Sequence, residues 1–193
     1  MAEINKNNNN KKSATDHNIL YPLINENIHF LRQGRFLIAD LEPEIYSEVK
    51  DVAGKGTIGA HFRHCIDMYN CFFSGLNNSA VDYINRERDS YVEKNKEEAE
   101  RKIVEHVYQL LDLRENPPSD HDIQIKFVTN SEDYGTIEHE IVSSLPRELF
   151  MLSSHTVHHY ALIAHILISN DQECPEHFGV APSTLSYRKK GRA

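Results

Sequence analysis

Residues 57–75, with the sequence TIGAHFRHCIDMYNCFFSG, contain the clearest helical pattern in this 193-residue chain. Apolar side chains recur there every three or four residues, the spacing that places them along one face of an α-helix. The stripe consists of Ile58, Phe62, Cys65, Tyr69, Phe72 and Leu76. Such a stripe is typical of helices that pack in bundles. We therefore predict a helix from about Thr57 to Gly75.

Three other segments have helical periodicity: residues 18–41, residues 94–114, and a stretch from the Ser144-Leu-Pro146 start signal to about Asn170. Before the last of these the period changes to two, which predicts a β-hairpin. Its alternating residues are Ile123, Ile125 and Phe127, then Ile137, His139 and Ile141. The expected fold class is all-α, a four-helix bundle with a small β-hairpin inserted before the last helix.

The remaining segments have little to bury. Residues 1–17 are rich in Asn and Lys and are predicted to be a disordered leader, with residues 18–170 as one domain. Residues 77–93 are polar and predict a long connection that contains at most a short helix. Residues 171–193 are expected to be an irregular C-terminal tail, and Gly34 is a predicted weak point of the first helix.

Composition excludes several classes of function. The chain has 21 Lys and Arg against 29 Asp and Glu, a net charge of −8, which argues against nucleic-acid binding. Its three cysteines include no C-x-x-C pair and predict no disulfide framework. The longest apolar run, residues 160–169, is too short to span a bilayer, and the N-terminus lacks the apolar region of a signal peptide. We expect a cytoplasmic protein without a nucleic-acid or membrane partner.

Histidine is over-represented, with 12 residues, and five of them lie in two short windows of the predicted helices, residues 59–67 and 154–160. His155 and His159 are four residues apart, so they project from one helical face and can reach a single metal ion. A catalytic metal commonly has three protein ligands and one open position. On the second helix, a helical wheel places His61 nearer the apolar stripe than His64. This difference does not decide the third ligand, so periodicity leaves both His61 and His64 as candidates.

The two windows, residues 57–67 (TIGAHFRHCID) and 155–159 (HTVHH), resemble the DinB/YfiT-like family of metalloenzymes. Members of this DinB superfamily are four-helix bundles with one histidine ligand on the second helix and an H-x-x-x-H pair on the last. The register of the resemblance assigns the metal to His64, His155 and His159, with His61 in reserve. His158 would be the first member of a His-His doublet whose second member binds the metal.

The resemblance implies an enzyme that uses a divalent Zn, Ni or Fe ion to activate a small thiol or water for transfer to an electrophile. A low-molecular-weight thiol would then be a cosubstrate, and the partners would be small molecules. Asp67 is a candidate for orienting a ligand, and Arg63 and Arg147 for binding an anionic thiol. Each of the three also has an ordinary interpretation, as a solvated carboxylate or a surface ion pair. No residue is singled out as a general base, and Cys65 is expected to be a buried, inert thiol.

Three alternatives stay open, the simplest being that the histidines are only structural. The same fold could be a non-catalytic metal-binding or sensing module, or a dimerisation module that forms a homodimer. A di-iron site is a third alternative, because residues 26–29 supply one Glu-x-x-His motif. That motif faces away from the apolar stripe of its helix, and the sequence contains no second copy.

Overall fold

The computed structural model describes residues 8–49, 56–78 and 80–191, with side chains from residue 19 onward. Over these ranges the chain forms seven helices and three strands: α1 (Asn8–Asp40), α2 (Pro43–Glu48), α3 (Ile58–Asn78), β1 (Ala80–Asp82), α4 (Ser90–Lys94), α5 (Lys96–Glu115), β2 (Asp122–Ser131), β3 (Gly135–Ser144), α6 (Leu145–Ser169) and α7 (Pro182–Lys190). The prediction of a mainly helical chain is confirmed. None of the helices in these ranges is long and apolar enough to cross a bilayer.

The core lies among the four long helices. Helix α1 packs on α5 and α6, and α3 packs on the same two helices. Each fully buried large apolar side chain stabilises the fold by about 1.5–3 kcal/mol relative to exposure. Those from the long helices include Leu20, Ile24, Leu31, Ile38, Phe62, Phe72, Leu110, Leu149, Tyr160 and Ile163. The stripe predicted on α3 is buried as far as Phe72, and Leu76 at its end is half-buried.

The first helix is longer than its periodicity indicates. It begins at Asn8, so residues 8–17, which composition assigns to a disordered leader, form its first turns. Once a helix is fixed by packing, each added residue gains a hydrogen bond without a new nucleation cost. Residues 1–7 of the predicted leader lie outside the described residues. At the other end, α1 stops before Pro43, which begins α2, as expected for a residue that fits the first turn of a helix.

The hairpin is present, but it belongs to a three-stranded sheet in the order β1-β2-β3. Strands β2 and β3 are antiparallel, with Ile125 opposite Ile141, and β1 runs parallel to β2, with Val81 opposite Ile125. The prediction of a connection with at most a short helix over residues 77–93 was therefore incomplete, because that segment contains both β1 and α4. A three-residue strand is too short to show periodicity, and it forms here because Val81 is fully buried against Gly75 of α3.

The C-terminal segment is more ordered than predicted. Residues 182–190 form α7, with Pro182 in its first turn and basic side chains in its last, both favourable for a helix. Before α7, the buried ring of Phe178 stacks on Tyr160 of α6 with 4.6 Å between ring centroids. The expectation of an irregular tail was wrong for residues 182–190, whereas residues 171–181 contain no helix or strand and are anchored to α6 by the Phe178 contact.

Gly34 allows α1 to approach the other helices closely. A Cβ atom at this position would overlap the Tyr160 hydroxyl and approach the Phe62 ring. We expect Gly34→Ala to destabilise the fold by about 1–3 kcal/mol, even though Ala is the better helix former. Urea unfolding followed by circular dichroism measures this change.

Gly191→Ala is the matched control, because the nearest atom to an added Cβ there is 3.7 Å away. It should leave the unfolding midpoint nearly unchanged. A Gly34→Ala variant as stable as the parent chain would show that α1 does not need this close approach.

Candidate metal centre

Three imidazoles converge between α3 and α6. His64 comes from α3, and His155 and His159 come from successive turns of α6. One ring nitrogen of each lies within 4.8 Å of the others, and His64 Nε2 is 2.7 Å from His155 Nε2. Such a group could hold a metal ion. No other set of three His, Cys, Asp or Glu side chains in the described part of the chain is gathered in this way.

Contacts on both sides of the histidines fix the register of α3 against α6. On one side the rings of Phe62 and Tyr160 pack with centroids 5.6 Å apart. On the other, the Thr156 hydroxyl lies 3.5 Å from the Tyr69 hydroxyl, which donates to Asn27 Oδ1 on α1 at 2.6 Å. All five side chains are buried. The histidine positions are therefore set by core packing and by a buried hydrogen-bond chain rather than by a mobile loop.

His61 lies beside the three converging histidines. Its Nδ1 is 2.9 Å from His159 Nδ1, so one ring donates to the other, and His159 Nε2 is left available to a metal. His61 itself is not part of the group whose donor atoms converge. The adjacent His158 is exposed, with its ring centroid 5.2 Å from that of His159.

The environment keeps the three imidazoles neutral. Burial, followed by the nearby His155 and Arg86, lowers the pKa of His64 to about 4. Burial and the neighbouring histidines lower the pKa of His159 to about 3. The pKa of His155 is also lowered, mainly by burial. Since only neutral imidazole can bind a metal, these shifts leave the three rings ready to do so at neutral pH.

An arginine that the sequence analysis did not identify lies at the edge of the group. Arg86 is in the loop of residues 83–89 between β1 and α4, and its Nη1 donates to His64 Nδ1 at 2.8 Å. Nothing in the polar run around Arg86 distinguishes it from a solvated loop residue. Its position depends on β1, which periodicity does not reveal.

Asp67 was a candidate for orienting a metal ligand. It is buried, and its pKa is raised by that burial, although Arg63 and Arg86 act in the opposite direction. Its carboxylate accepts a hydrogen bond from the backbone of Arg88, a residue with a left-handed φ of 51°. Asp67 therefore stabilises the loop that carries Arg86.

The two arginines named as anion-binding candidates each form an ion pair. Arg63 Nη1 is 2.5 Å from a carboxylate oxygen of Glu93 on α4. Arg147, in the first turn of α6, is 3.1 Å from Glu148. Both arginines are therefore paired, as the ordinary interpretation expects, although Glu148 is fully buried and the Arg63–Glu93 pair is half-buried. Arg86 is left as the cation that touches the histidines.

The thiols of α3 are poorly suited to be nucleophiles. Cys65 is buried, and burial raises its thiol pKa far above the usual range. Burial and the nearby Asp67 raise the pKa of Cys71 to about 11. Both thiols are therefore protonated at neutral pH, as expected for Cys65.

The Glu-x-x-His motif considered for a di-iron site does not gather metal ligands. Glu26 accepts a hydrogen bond from the Ser153 hydroxyl at 3.1 Å. His29 is exposed and contacts Gln33 within the same helix. The motif therefore separates into a contact with α6 and a surface residue.

The chain is similar to part of a fungal protein. The chain is 30% identical over 112 residues to the FK506-binding protein 5 of Rhizopus delemar. The aligned region covers 58% of this chain and 28% of that protein. No known family's sequence model matches the chain. No solved structure matches it.

Proposed function

We propose that this chain is a metal-dependent enzyme of the DinB type, in which the four long helices form a four-helix bundle and hold one divalent ion. His64, His155 and His159 would be its ligands, and a small thiol or water would be activated for transfer to an electrophile. The observation that carries the proposal is the convergence of three half-buried imidazoles from α3 and α6. They are the same three residues to which the motif resemblance points.

The residues present fit such an ion. Imidazole nitrogen suits Zn²⁺, Ni²⁺ and Fe²⁺, and three protein ligands leave a coordination position for water or substrate. The lowered pKa values of His64 and His159 remove competition from protons at neutral pH. When bound, the ion would lower the pKa of a coordinated water or thiol and so supply a nucleophile.

The protein positions the histidine rings, and its own cysteine thiols are poor nucleophiles. The half-buried rings are held by core contacts, which orient them before any ligand arrives. The protonated thiols of Cys65 and Cys71 do not compete as nucleophiles. Protonated cysteines beside the site are consistent with a nucleophile supplied by a small thiol or water.

Metal binding tests the site. Untagged protein should bind one equivalent of Zn²⁺ per chain by isothermal titration calorimetry. His64→Ala, His155→Ala and His159→Ala should each weaken binding by roughly 100-fold or more, because each removes one of three ligands. His158→Ala and His165→Ala, which alter exposed residues of α6, are matched controls and should bind Zn²⁺ normally. Unchanged affinity in all three ligand variants would contradict the site.

Turnover tests the enzymatic part of the proposal. Protein loaded with Zn²⁺, Ni²⁺ or Fe²⁺ is assayed with a small thiol and 1-chloro-2,4-dinitrobenzene, where a C–S bond forms and chloride leaves. Hydrolysis of 4-nitrophenyl acetate, where water adds to the carbonyl and nitrophenolate leaves, tests the water pathway. We expect a metal-dependent rate that is lost in His159→Ala. Stoichiometric metal binding without either reaction would instead favour a non-catalytic metal-binding or sensing module.

His61 should act as a positioning residue. If His159 binds metal through Nε2, its Nδ1 carries the proton and donates to His61 Nδ1, 2.9 Å away. Partners of this kind fix the tautomer and orientation of a ligand, and their loss costs about 10- to 100-fold in metal affinity. We expect that loss in His61→Ala, measured by competition with a chromophoric chelator.

His61→Asn is the matched variant, because its amide oxygen can replace Nδ1 as acceptor and should restore most of the affinity. Equal Zn²⁺ affinities for His61→Ala and the parent chain would contradict this role.

A further inference from the structure

Arg86 is held in place by the loop that carries it. The Asp82 carboxylate accepts hydrogen bonds from the backbone N–H groups of Ile84 and Asn85 at 2.9 and 3.1 Å. At the other end, Asp89 caps α4 by accepting from the Tyr91 backbone at 2.8 Å. Both ends of the loop are therefore fixed, and the position of the guanidinium beside the histidines is built into the fold.

The guanidinium of Arg86 does not use all of its hydrogen-bond donors. Its Nη1 contacts His64 Nδ1 and lies 3.9 Å from the sulfur of Met68. Its Nε is buried and has no hydrogen-bond partner. No carboxylate of the described residues forms an ion pair with Arg86, whereas Arg63 nearby is paired with Glu93. Arg86 therefore brings to the three histidines a positive charge that no carboxylate contacts directly, together with spare donors; the buried Asp67 interacts with it only at longer range.

A bound metal would remove the one ring acceptor that Arg86 has. To accept from Arg86, His64 must have its lone pair on Nδ1 and, as a neutral ring, its proton on Nε2. Nε2 is the atom that faces His155. If Nε2 binds metal instead, the proton of the His64 ring moves to Nδ1. Two N–H donors, His64 Nδ1 and Arg86 Nη1, then face each other. The guanidinium, which is also repelled by a cation, then needs another acceptor.

We propose that this acceptor is the carboxylate of the substrate, so that Arg86 forms an anion subsite beside the metal site. The inference rests on the proposed function and narrows its substrate class to small carboxylate-bearing molecules, above all carboxylate-bearing thiols. The thiol end would bind at the metal held by His64, His155 and His159, and the carboxylate would receive charge-assisted hydrogen bonds from Arg86, the type that guanidinium forms best.

Two matched thiols test the subsite on Co²⁺-loaded protein. 3-Mercaptopropionate carries a carboxylate where 3-mercapto-1-propanol carries a hydroxyl. Thiolate-to-cobalt charge-transfer absorption reports the dissociation constant of each. We expect the parent chain to bind the carboxylate at least about tenfold more tightly. Arg86→Gln should abolish that preference without weakening the neutral thiol, and Arg86→Lys should keep part of it. Arg101→Gln, on exposed α5 surface, should behave as the parent chain does.

Arg86→Gln should also raise the affinity of the ligand-free protein for Zn²⁺ by roughly tenfold, because a repelling charge has been removed. A carboxylate preference that survives in Arg86→Gln would overturn the subsite, since it would come from chelation by the metal alone. Equal binding of the two thiols to the parent chain would also overturn it. If the parent chain takes up no Co²⁺, the proposed function itself fails, a result distinct from either of these.

Discussion

The contact between α3 and α6 is the constraint on which the rest of the structure depends. The ring of Phe62 packs against Tyr160, and seven residues further along α3 the hydroxyl of Tyr69 meets Thr156. Because Gly34 has no side chain, α1 can pack closely over the contact between Phe62 and Tyr160. His64 lies between the two contacts on α3, so its register against His155 and His159 is decided by the core. A shift of either helix by one residue would separate the three rings.

The site combines neutral imidazoles with the positive charge of Arg86. Burial lowers the pKa values of His64, His155 and His159 and keeps these imidazoles neutral, and the positive charge of Arg86 further disfavours protonation of His64 and His155. Asp67 is buried close by, but its carboxylate holds the backbone of the Arg86 loop. Such a site attracts anions while it keeps metal-binding nitrogens available, which is consistent with an anionic substrate that shares the metal site.

Periodicity predicted the long helices and the hairpin because their apolar residues repeat over many positions. It could not choose between His61 and His64, since both lie at the edge of the stripe. The motif resemblance favoured His64, and the structure places His64 in the converging group and His61 against His159. The strand at Val81 and the role of Arg86 were beyond prediction, because both depend on contacts between segments distant in sequence. The anchoring of Phe178 on Tyr160 was missed for the same reason.

The most direct test of the central claim is X-ray absorption at the zinc K-edge of protein loaded with one equivalent of Zn²⁺. The account predicts three imidazole nitrogens at about 2.0–2.1 Å, identified by the multiple scattering of their rings, with an additional light ligand. His155→Ala should reduce the imidazole count by one. A first shell with no more than one imidazole in the parent chain, or a spectrum unaltered by that substitution, would contradict it.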